Sequence, residues 1–309
     1  MAITVAVAGL GNIGRYAIEA LETAPDCQCL GVIRRKESLG TGTLGLRGVP
    51  EFASMDDLTA QAGRPDAVIV CGPSRSVPDM APALLRQGFC TVDSFDIHDR
   101  MTEVVNKLDD AAKEGQTVAI TAAGWDPGTD SVLRALFEAM VPAGTTFTNF
   151  GRGRSMGHSV AARALPGVAD ATSITIPLGG GRHSRLVYVV LEQGATLEEV
   201  TATIKADPYF AHDPLDVRAV TKEQLPFVAD ASHGVLMERV GASGLTANQH
   251  LQFDMRINNP ALTAQVMVSC VRAAIRMRAS GARGALTLID IPPVCLLPGD
   301  RMANVARLV

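Results

Sequence analysis

The apolar positions of the first 125 residues fall into two alternating patterns. Short continuous apolar runs occupy residues 3–8, 29–33, 67–71, 90–92 and 117–120, and stretches with helical spacing occupy about 12–24, 78–87 and 99–114. Runs without a polar face predict strands buried on both sides. Strands separated by helices predict a parallel sheet with right-handed crossovers. From about residue 145 the pattern changes. Ser173–Pro177 and Arg185–Leu191 flank the turn-rich Leu178-Gly179-Gly180-Gly181, which predicts an antiparallel hairpin. Thr196 and Glu199 have capping-box spacing and predict a helix start. Val235–Val240 and Ala247–Ile257 read as further strands. Asn259-Pro260 reads as a cap and first helical residue, opening a long helix to about Ser280 that Gly281 and Gly284 end. The apolar stretch 285–297 is expected to return to the first domain.

The pattern therefore predicts an α/β chain: a doubly wound parallel sheet with a second, α+β domain for substrate binding and dimerisation. The expected division is 1–124, with 282–309 returning to it, and 125–281. Hydrophobic residues make up 47% of the 309, enough for two cores. A net charge of −4 and an aromatic content of 4% exclude a globally basic or base-stacking nucleic-acid binder. No run of about 18 apolar residues suggests a membrane span. No basic segment or small-residue cleavage site marks a secretory leader. The cysteines (27, 29, 71, 90, 270 and 295) form no C-x-x-C pair, and nothing near Cys27 and Cys29 completes a metal set. Reduced cysteines in a cytoplasmic protein without a metal are expected.

Gly9-Leu10-Gly11-Asn12-Ile13-Gly14 follows the first strand and opens the first helix. The motif alone is weak; in this setting it predicts a Rossmann-type dinucleotide site. Gly9 permits the tight turn, Gly11 lets the backbone approach a pyrophosphate, and Gly14 lets helix and strand pack closely. The helix N-terminus offers free N–H groups to phosphate. After the second strand come Arg34-Arg35-Lys36, where a site for NAD carries an acidic residue. Three cations there point to the 2′-phosphate of NADP. Cys71-Gly72-Pro73-Ser74, beyond a later strand, is expected to border the same cofactor.

Two clusters beyond later strand ends carry candidate chemistry: Asp93-Ser94-Phe95-Asp96-Ile97-His98 and Ala123-Gly124-Trp125-Asp126-Pro127-Gly128. A substrate amine needs anionic partners and must lose a proton before or during hydride loss, and aspartates can serve both needs directly or through water. Asp126 before Pro127 also reads as a helix N-cap. Trp125, the single tryptophan, reads as a pocket wall. Ser94, Phe95, Ala123, Gly124 and Pro127 are expected near the cofactor with Asp96, Trp125 and Asp126.

With these motifs, and with Gly151-Arg152-Gly153-Arg154-Ser155-Met156-Gly157-His158-Ser159, Leu165-Pro166-Gly167-Val168, His233-Gly234 and Asn259-Pro260, the chain resembles the meso-diaminopimelate dehydrogenase family over nearly its whole length. The resemblance implies reversible NADP⁺-dependent oxidation of the D-centre of meso-2,6-diaminopimelate to an imine. Water then releases ammonia and L-2-amino-6-oxopimelate. It implies that Asp96 and Asp126 handle the reacting amine and its water, and that Phe150, Met156 and Gly157 line the pocket. Thr175, Arg185, His233 and Asn259 are implied to hold the distal L-centre, with Arg185 suited to meet a carboxylate bidentately. It further implies a homodimer. Two departures stand out. Leu10 occupies a position where the family pattern has Tyr, and the hairpin between Ile176 and Arg185 is short, which assigns the chain to the shorter subgroup with expected tolerance of other 2-oxo acids. The competing readings are a reductase similar to dihydrodipicolinate reductase, for which the chain lacks a central His-His motif, an aspartate dehydrogenase, or a non-catalytic NADP(H) sensor. The last leaves Asp93, Asp96 and Asp126 unexplained.

Overall fold

The structure is a computed structural model that describes residues 2–151, 153–180, 182–208, 210–229 and 233–309; within these, the side chains of Thr43, Leu44, Arg154, Met156, Gly157, Val160 and Ala229 are excluded. Arg152 of the glycine–arginine loop and Gly181 of the expected turn lie outside the described residues. The elements run β1 (Ile3–Ala8), α1 (Asn12–Thr23), β2 (Cys27–Ile33), β3 (Glu51–Phe52), α2 (Met55–Ala62), β4 (Ala67–Val70), α3 (Val77–Arg86), β5 (Cys90–Asp93), α4 (Met101–Glu114), β6 (Val118–Ile120) and α5 (Thr129–Met140). They continue through β7 (Ala143–Phe150), β8 (Gly153–Ser155), α6 (Met156–Arg163), β9 (Val168–Gly179), β10 (Arg182–Leu191), α7 (Leu197–Ala206), β11 (Leu215–Ala219), α8 (Leu225–Ala229), β12 (His233–Ser243) and β13 (Thr246–Ile257). The last are α9 (Asn259–Ala279), β14 (Gly284–Leu286) and α10 (Arg301–Leu308).

The chain forms two compact units, residues 1–135 with 260–309, and residues 136–259. The return thus begins at Pro260, whereas the hydrophobic pattern suggested residue 282. The reason is packing: Ala264, Met267, Val268, Cys270, Val271 and Ala274 of α9 are buried in the same core as Val5 and Val7 of β1.

The first unit carries a seven-stranded sheet, order β14-β6-β5-β4-β1-β2-β3, and its pairs are parallel. Alternate residues of β1 explain why its run looked uniformly apolar. Val5 and Val7 enter the core under α1 and α9, while Ala6 and Ala8 enter the opposite core with Val77, Leu85 and Leu108 from α3 and α4. The order reverses beside β1, and the register aligns the carboxyl ends: Ala8 faces Ile33 and Val70, and Val70 faces Asp93. This is the switch point at which open α/β sheets bind ligands.

The second unit holds a four-stranded sheet, β11-β10-β9-β8, and a three-stranded antiparallel sheet, β13-β12-β7. The predicted hairpin is β9–β10, longer than its apolar centre suggested. Thr196 and Glu199 form the capping box of α7. Among the described residues no helix is long and apolar enough to cross a membrane.

Candidate active site

The glycine loop fits a dinucleotide for reasons visible atom by atom. Gly9 has φ +107°, and a Cβ there would lie 3.0 Å from the Cys71 carbonyl oxygen. A Cβ on Gly14 would lie 2.2 Å from the Gly9 carbonyl oxygen, so α1 can pack this closely only without a side chain. A Cβ on Gly11 would meet nothing within 4 Å. Packing therefore does not explain Gly11, and the open space beside it leaves room for a ligand to approach the backbone. Gly11 is also the N-cap of α1 and offers no side-chain cap, which leaves the first N–H groups of the helix without an internal acceptor. Asn12 is exposed; Leu10 and Ile13 are partly buried and pack against the core.

Arg34, at the end of β2, forms an ion pair with Glu51 of β3 and donates to the Thr41 carbonyl at 2.8 Å. Arg35 and Lys36 are exposed. Glu51, which the sequence did not single out, thus neutralises one of the three predicted phosphate cations. Beyond β4, burial pushes the Cys71 thiol up to about 12, so it is a packing group rather than a nucleophile. Pro73 and Ser74 line a cavity of about 750 Å³ with Arg75, Asp96, Ile97 and Arg100. Asp96 is exposed to this space.

The β5 and β6 ends are joined from below by Asp93, which is fully buried. One carboxylate oxygen accepts from the Phe95 N–H at 3.0 Å and from the Thr121 hydroxyl at 2.8 Å. The other has no hydrogen-bond partner among the described residues. Burial pushes the carboxyl up to about 6, against the opposing effect of the Phe95, Thr121 and Ala122 donors. The Phe95 ring is fully buried in the core and Ala123 is too. Both can face a cofactor only through backbone, because their side chains fill the sheet interior. Ser94 is half-buried.

Asp126 is not a helix cap. Residues 124–128 close on themselves before α5 starts at Thr129: the Gly124 N–H donates to the Pro127 carbonyl at 3.2 Å, the Thr129 N–H to the Gly124 carbonyl at 3.2 Å, and the Asp126–Pro127 peptide is cis. A Cβ on Gly128 would fall 1.9 Å from the Gly124 oxygen, so glycine is required there. The loop holds the Asp126 carboxyl at 12% exposure, with Arg134 of α5 3.5 Å away, and Trp125 is 5% exposed. Asp130, the second residue of α5, is fully buried near Asp126 and accepts from Arg134 at 2.8 Å. Burial and the neighbouring Asp126 carboxyl raise its proton affinity, and Arg134 opposes them. The i, i+4, i+8 spacing of Asp126, Asp130 and Arg134 was visible in the sequence.

In the second unit Thr175 on β9 and Arg185 on β10 are register partners, both nearly buried, and the Arg185 guanidinium donates to the Thr175 hydroxyl. Its Nε donates to Asp213 at 2.8 Å, which His183 also faces at 3.3 Å. Nothing in the sequence pattern pointed to Asp213. Gly153 on β8 lies opposite Thr175, and a Cβ on Gly151 would sit 2.9 Å from the Thr175 carbonyl. Phe150, ending β7, is 41% exposed. Met156 and Gly157 open α6, whose N-cap Ser155 makes no side-chain cap and instead bonds His158 Nδ1 at 2.9 Å; the Met156 and Gly157 side chains are outside the described set. His233 opens β12, and its Nδ1 accepts the Gly234 N–H at 2.9 Å. Asn259 is the first residue of α9. Among the described residues no group of three metal-ligating side chains exists.

Comparison with known proteins adds sequence identity to this chemistry. Residues 3–92 match the family described as "Oxidoreductase family, NAD-binding Rossmann fold", and residues 124–181 match "Diaminopimelic acid dehydrogenase C-terminal domain". The meso-diaminopimelate D-dehydrogenase of Bacteroides fragilis is 44% identical over 311 residues, covering 99% of each chain. The chain belongs to the meso-diaminopimelate dehydrogenase family. Two solved structures of related enzymes superpose along the whole chain. One is Corynebacterium glutamicum DAP dehydrogenase in complex with DAP, 28% identical, TM-score 0.76, covering 99% of each chain. The other is an engineered D-amino acid dehydrogenase bound to NADP⁺, 27% identical, TM-score 0.72, covering 100% of each. As a member of this family the chain is a dehydrogenase with a nicotinamide-cofactor domain and a small-molecule substrate, and the fold expected from its sequence is the family's fold.

Proposed function

We propose that this enzyme is an NADP-dependent meso-diaminopimelate D-dehydrogenase. It reversibly oxidises the D-centre of meso-2,6-diaminopimelate to L-2-amino-6-oxopimelate and ammonia. The observation that carries the reading is the pair of aspartates, Asp96 and Asp126, beyond the carboxyl ends of β5 and β6, in the unit that holds the glycine loop. When bound, the nicotinamide accepts the hydride. The protein does the rest. Asp96 and Asp126 bind the ammonium group, orient it and manage its proton and the water that hydrolyses the imine. Trp125 walls the site.

Gly9, Leu10, Gly11, Asn12, Ile13 and Gly14 hold the pyrophosphate, mostly through backbone N–H groups. Arg34, Arg35 and Lys36 receive the 2′-phosphate, and Cys71, Gly72, Pro73, Ser74, Ser94, Phe95, Ala123, Gly124 and Pro127 border the cofactor. NADP is favoured by the absence of a carboxylate directly after β2 and by the NADP⁺ carried by the engineered relative. In the second unit Phe150, Met156 and Gly157 face the near carboxylate, and Thr175, Arg185, His233 and Asn259 hold the distal L-centre. DAP bound to the Corynebacterium relative supports that substrate. The same site would aminate other 2-oxo acids more slowly. We further infer a cytoplasmic homodimer. All six cysteines are free thiols, and Leu136, Met140, Val240 and Leu245 of the second unit are exposed.

The test is NADPH formation at 340 nm with meso-diaminopimelate, for the unmodified enzyme and for Asp126→Asn. We expect turnover with NADP⁺ and a loss of about 10²-fold in kcat for the variant, with an unchanged Tm. No turnover by the unmodified enzyme refutes the reading; near-normal turnover by Asp126→Asn removes Asp126 from the chemistry.

A further inference from the structure

The Asp130 carboxyl has no exposed surface. Its Oδ2 accepts from Arg134 Nη2 at 2.8 Å, and the same nitrogen is 3.5 Å from Asp126 Oδ1. Among the described residues its buried Oδ1 has no hydrogen-bond partner. The Asp126 carboxyl and the Ser131 backbone N–H both act on the Asp130 carboxyl, and Arg134 Nη2 bridges the two acids. Two ionised carboxylates are both acceptors, so facing each other in a buried setting they leave oxygens unpaired and repel. One proton between them converts that contact into an O–H···O⁻ hydrogen bond, among the strongest kinds available to side chains.

We propose that Asp126 and Asp130 act as a carboxyl pair with one shared proton position, making Asp130 the positioning residue that sets the charge Asp126 presents to the substrate's ammonium group. The proposal rests on the reading of Asp126 as an amine-binding residue.

Burial and the Asp126 carboxyl raise the proton affinity of Asp130, while Arg134 lowers it. Among the described residues these are the charged groups that act on Asp130 from the loop before α5 and from α5 itself. Asp130 therefore holds its proton above the ordinary carboxylate range, and Arg134 favours the ionised form. That form has a task. The substrate arrives as an ammonium ion, which cannot give up hydride. Asp126 of the ionised pair takes one proton: an O–H bond forms, an N–H bond breaks, and its electron pair stays on nitrogen. The proton then lies between Asp126 and Asp130. A lone carboxylate at its reference value of about 3.9 is too weak a base to hold a proton taken from an alkylammonium. A carboxyl pair is better matched to the task, because base strength is most useful when its pKa lies near the working pH. In the amination direction the same proton returns to nitrogen.

The experiment measures the pH profile of kcat/KM for deamination in the unmodified enzyme, Asp130→Asn and Arg134→Met. It is paired with a ¹³C NMR titration of aspartate carboxyl carbons in the substrate-free protein. Two high-titrating carboxyls are expected in the unmodified protein, Asp93 and one from the pair. Asp130→Asn should lose the second and keep the Asp93 signal. Its amide donates to Asp126 permanently, so the acidic limb of its profile should move down by about one pH unit or more. Arg134→Met should move that limb up, because the cation that favours the ionised pair is gone. Unchanged limbs in both variants, or a titration showing Asp93 alone, overturn the proposal. If Asp130→Asn fails to fold, Arg134→Met retains both carboxyls and decides by the direction of its shift. If the enzyme does not oxidise meso-diaminopimelate, the proposed function fails, and the substrate-free titration supports or overturns the pair by itself.

Discussion

Substituting Arg34 removes a cation and uncovers an anion at once. The Arg34 and Glu51 side chains are 11% and 15% exposed and ion-paired, so Arg34→Ala leaves the Glu51 carboxylate without its principal partner beside the segment assigned to the 2′-phosphate. Among the described residues Glu51 would retain only the Gly40 N–H at 3.2 Å. Loss of one charge-assisted bond to phosphate is worth about 1.5–3 kcal/mol, or roughly 10- to 150-fold in affinity. The uncovered carboxylate adds repulsion of the order of 1 kcal/mol or more, a further factor of about five. Arg34→Ala should therefore raise the KM for NADP⁺ more than Arg35→Ala, whose side chain is exposed. It should also lower the Tm, which Arg35→Ala should not. In Arg34→Ala/Glu51→Gln the repulsive part disappears, so the KM for NADP⁺ recovers about five-fold and the Tm rises again. The KM for NAD⁺, with no 2′-phosphate, should change little in any of them. The assay is initial-rate kinetics with both cofactors alongside thermal melting. Equal use of NAD⁺ and NADP⁺ by the unmodified enzyme refutes the assignment. Identical NADP⁺ kinetics for Arg34→Ala with and without Glu51→Gln refute the role given to Glu51.

The two glycines of the loop should separate by assay. Gly11→Ala meets no protein atom within 4 Å, so its Tm should hold while its KM for NADP⁺ rises at least about ten-fold; Gly14→Ala, 2.2 Å from a carbonyl oxygen, should melt well below the unmodified protein. Arg185→Met should weaken meso-diaminopimelate binding and leave the KM for NADP⁺ near normal; unchanged diaminopimelate kinetics would take Arg185 out of the pocket. Asp93, pushed up to about 6, binds its proton more tightly folded than unfolded. Its stabilising contribution, of the order of 3 kcal/mol, is complete below about pH 4 and is lost as pH rises through 6. Denaturant titrations from pH 4 to 7 should show that decline in the unmodified protein and a flatter profile in Asp93→Asn; parallel profiles would disprove the assignment.

How far the sequence could be read depended on the range over which each feature is encoded. The strands of the first unit were legible because both faces of each are apolar. Val5 and Val7 serve one core, and Ala6 and Ala8 the other. The glycine loop was legible because its spacing falls between a strand and a helix, although Gly9 answers to the Cys71 carbonyl, far away in sequence. By contrast β7 is rich in Thr, and much of it is exposed, so no period announced it. The two-residue β3 is too short to leave a pattern. Asp126-Pro127 read as a cap because the local signal is real, but contacts from Gly124 to Gly128 close that segment into a loop instead. Phe95 read as a cofactor residue from its place after a strand, and burial of its ring leaves only its backbone to offer.

The larger gap concerns charge. Arg34 and Arg185 were singled out as candidate cations, yet their counter-ions were not, because partners stand far apart in sequence: Arg34 and Glu51 are separated by 17 positions, Arg185 and Asp213 by 28. The structural pair Arg272–Asp26 spans 246. A paired guanidinium offers a ligand fewer free N–H groups and less net charge than an unpaired one. Arg185 donates to Thr175 and Asp213, so a carboxylate arriving there meets a cation whose direction is already fixed and whose charge is partly offset. Such a site rewards a ligand that matches the remaining donors and discriminates by geometry more than by attraction. The same holds at Arg34. Preference for phosphate or for a second carboxylate therefore depends on Glu51 and Asp213 as much as on the arginines. Substitutions at these two carboxylates should redirect selectivity while leaving Asp96 and Asp126 untouched.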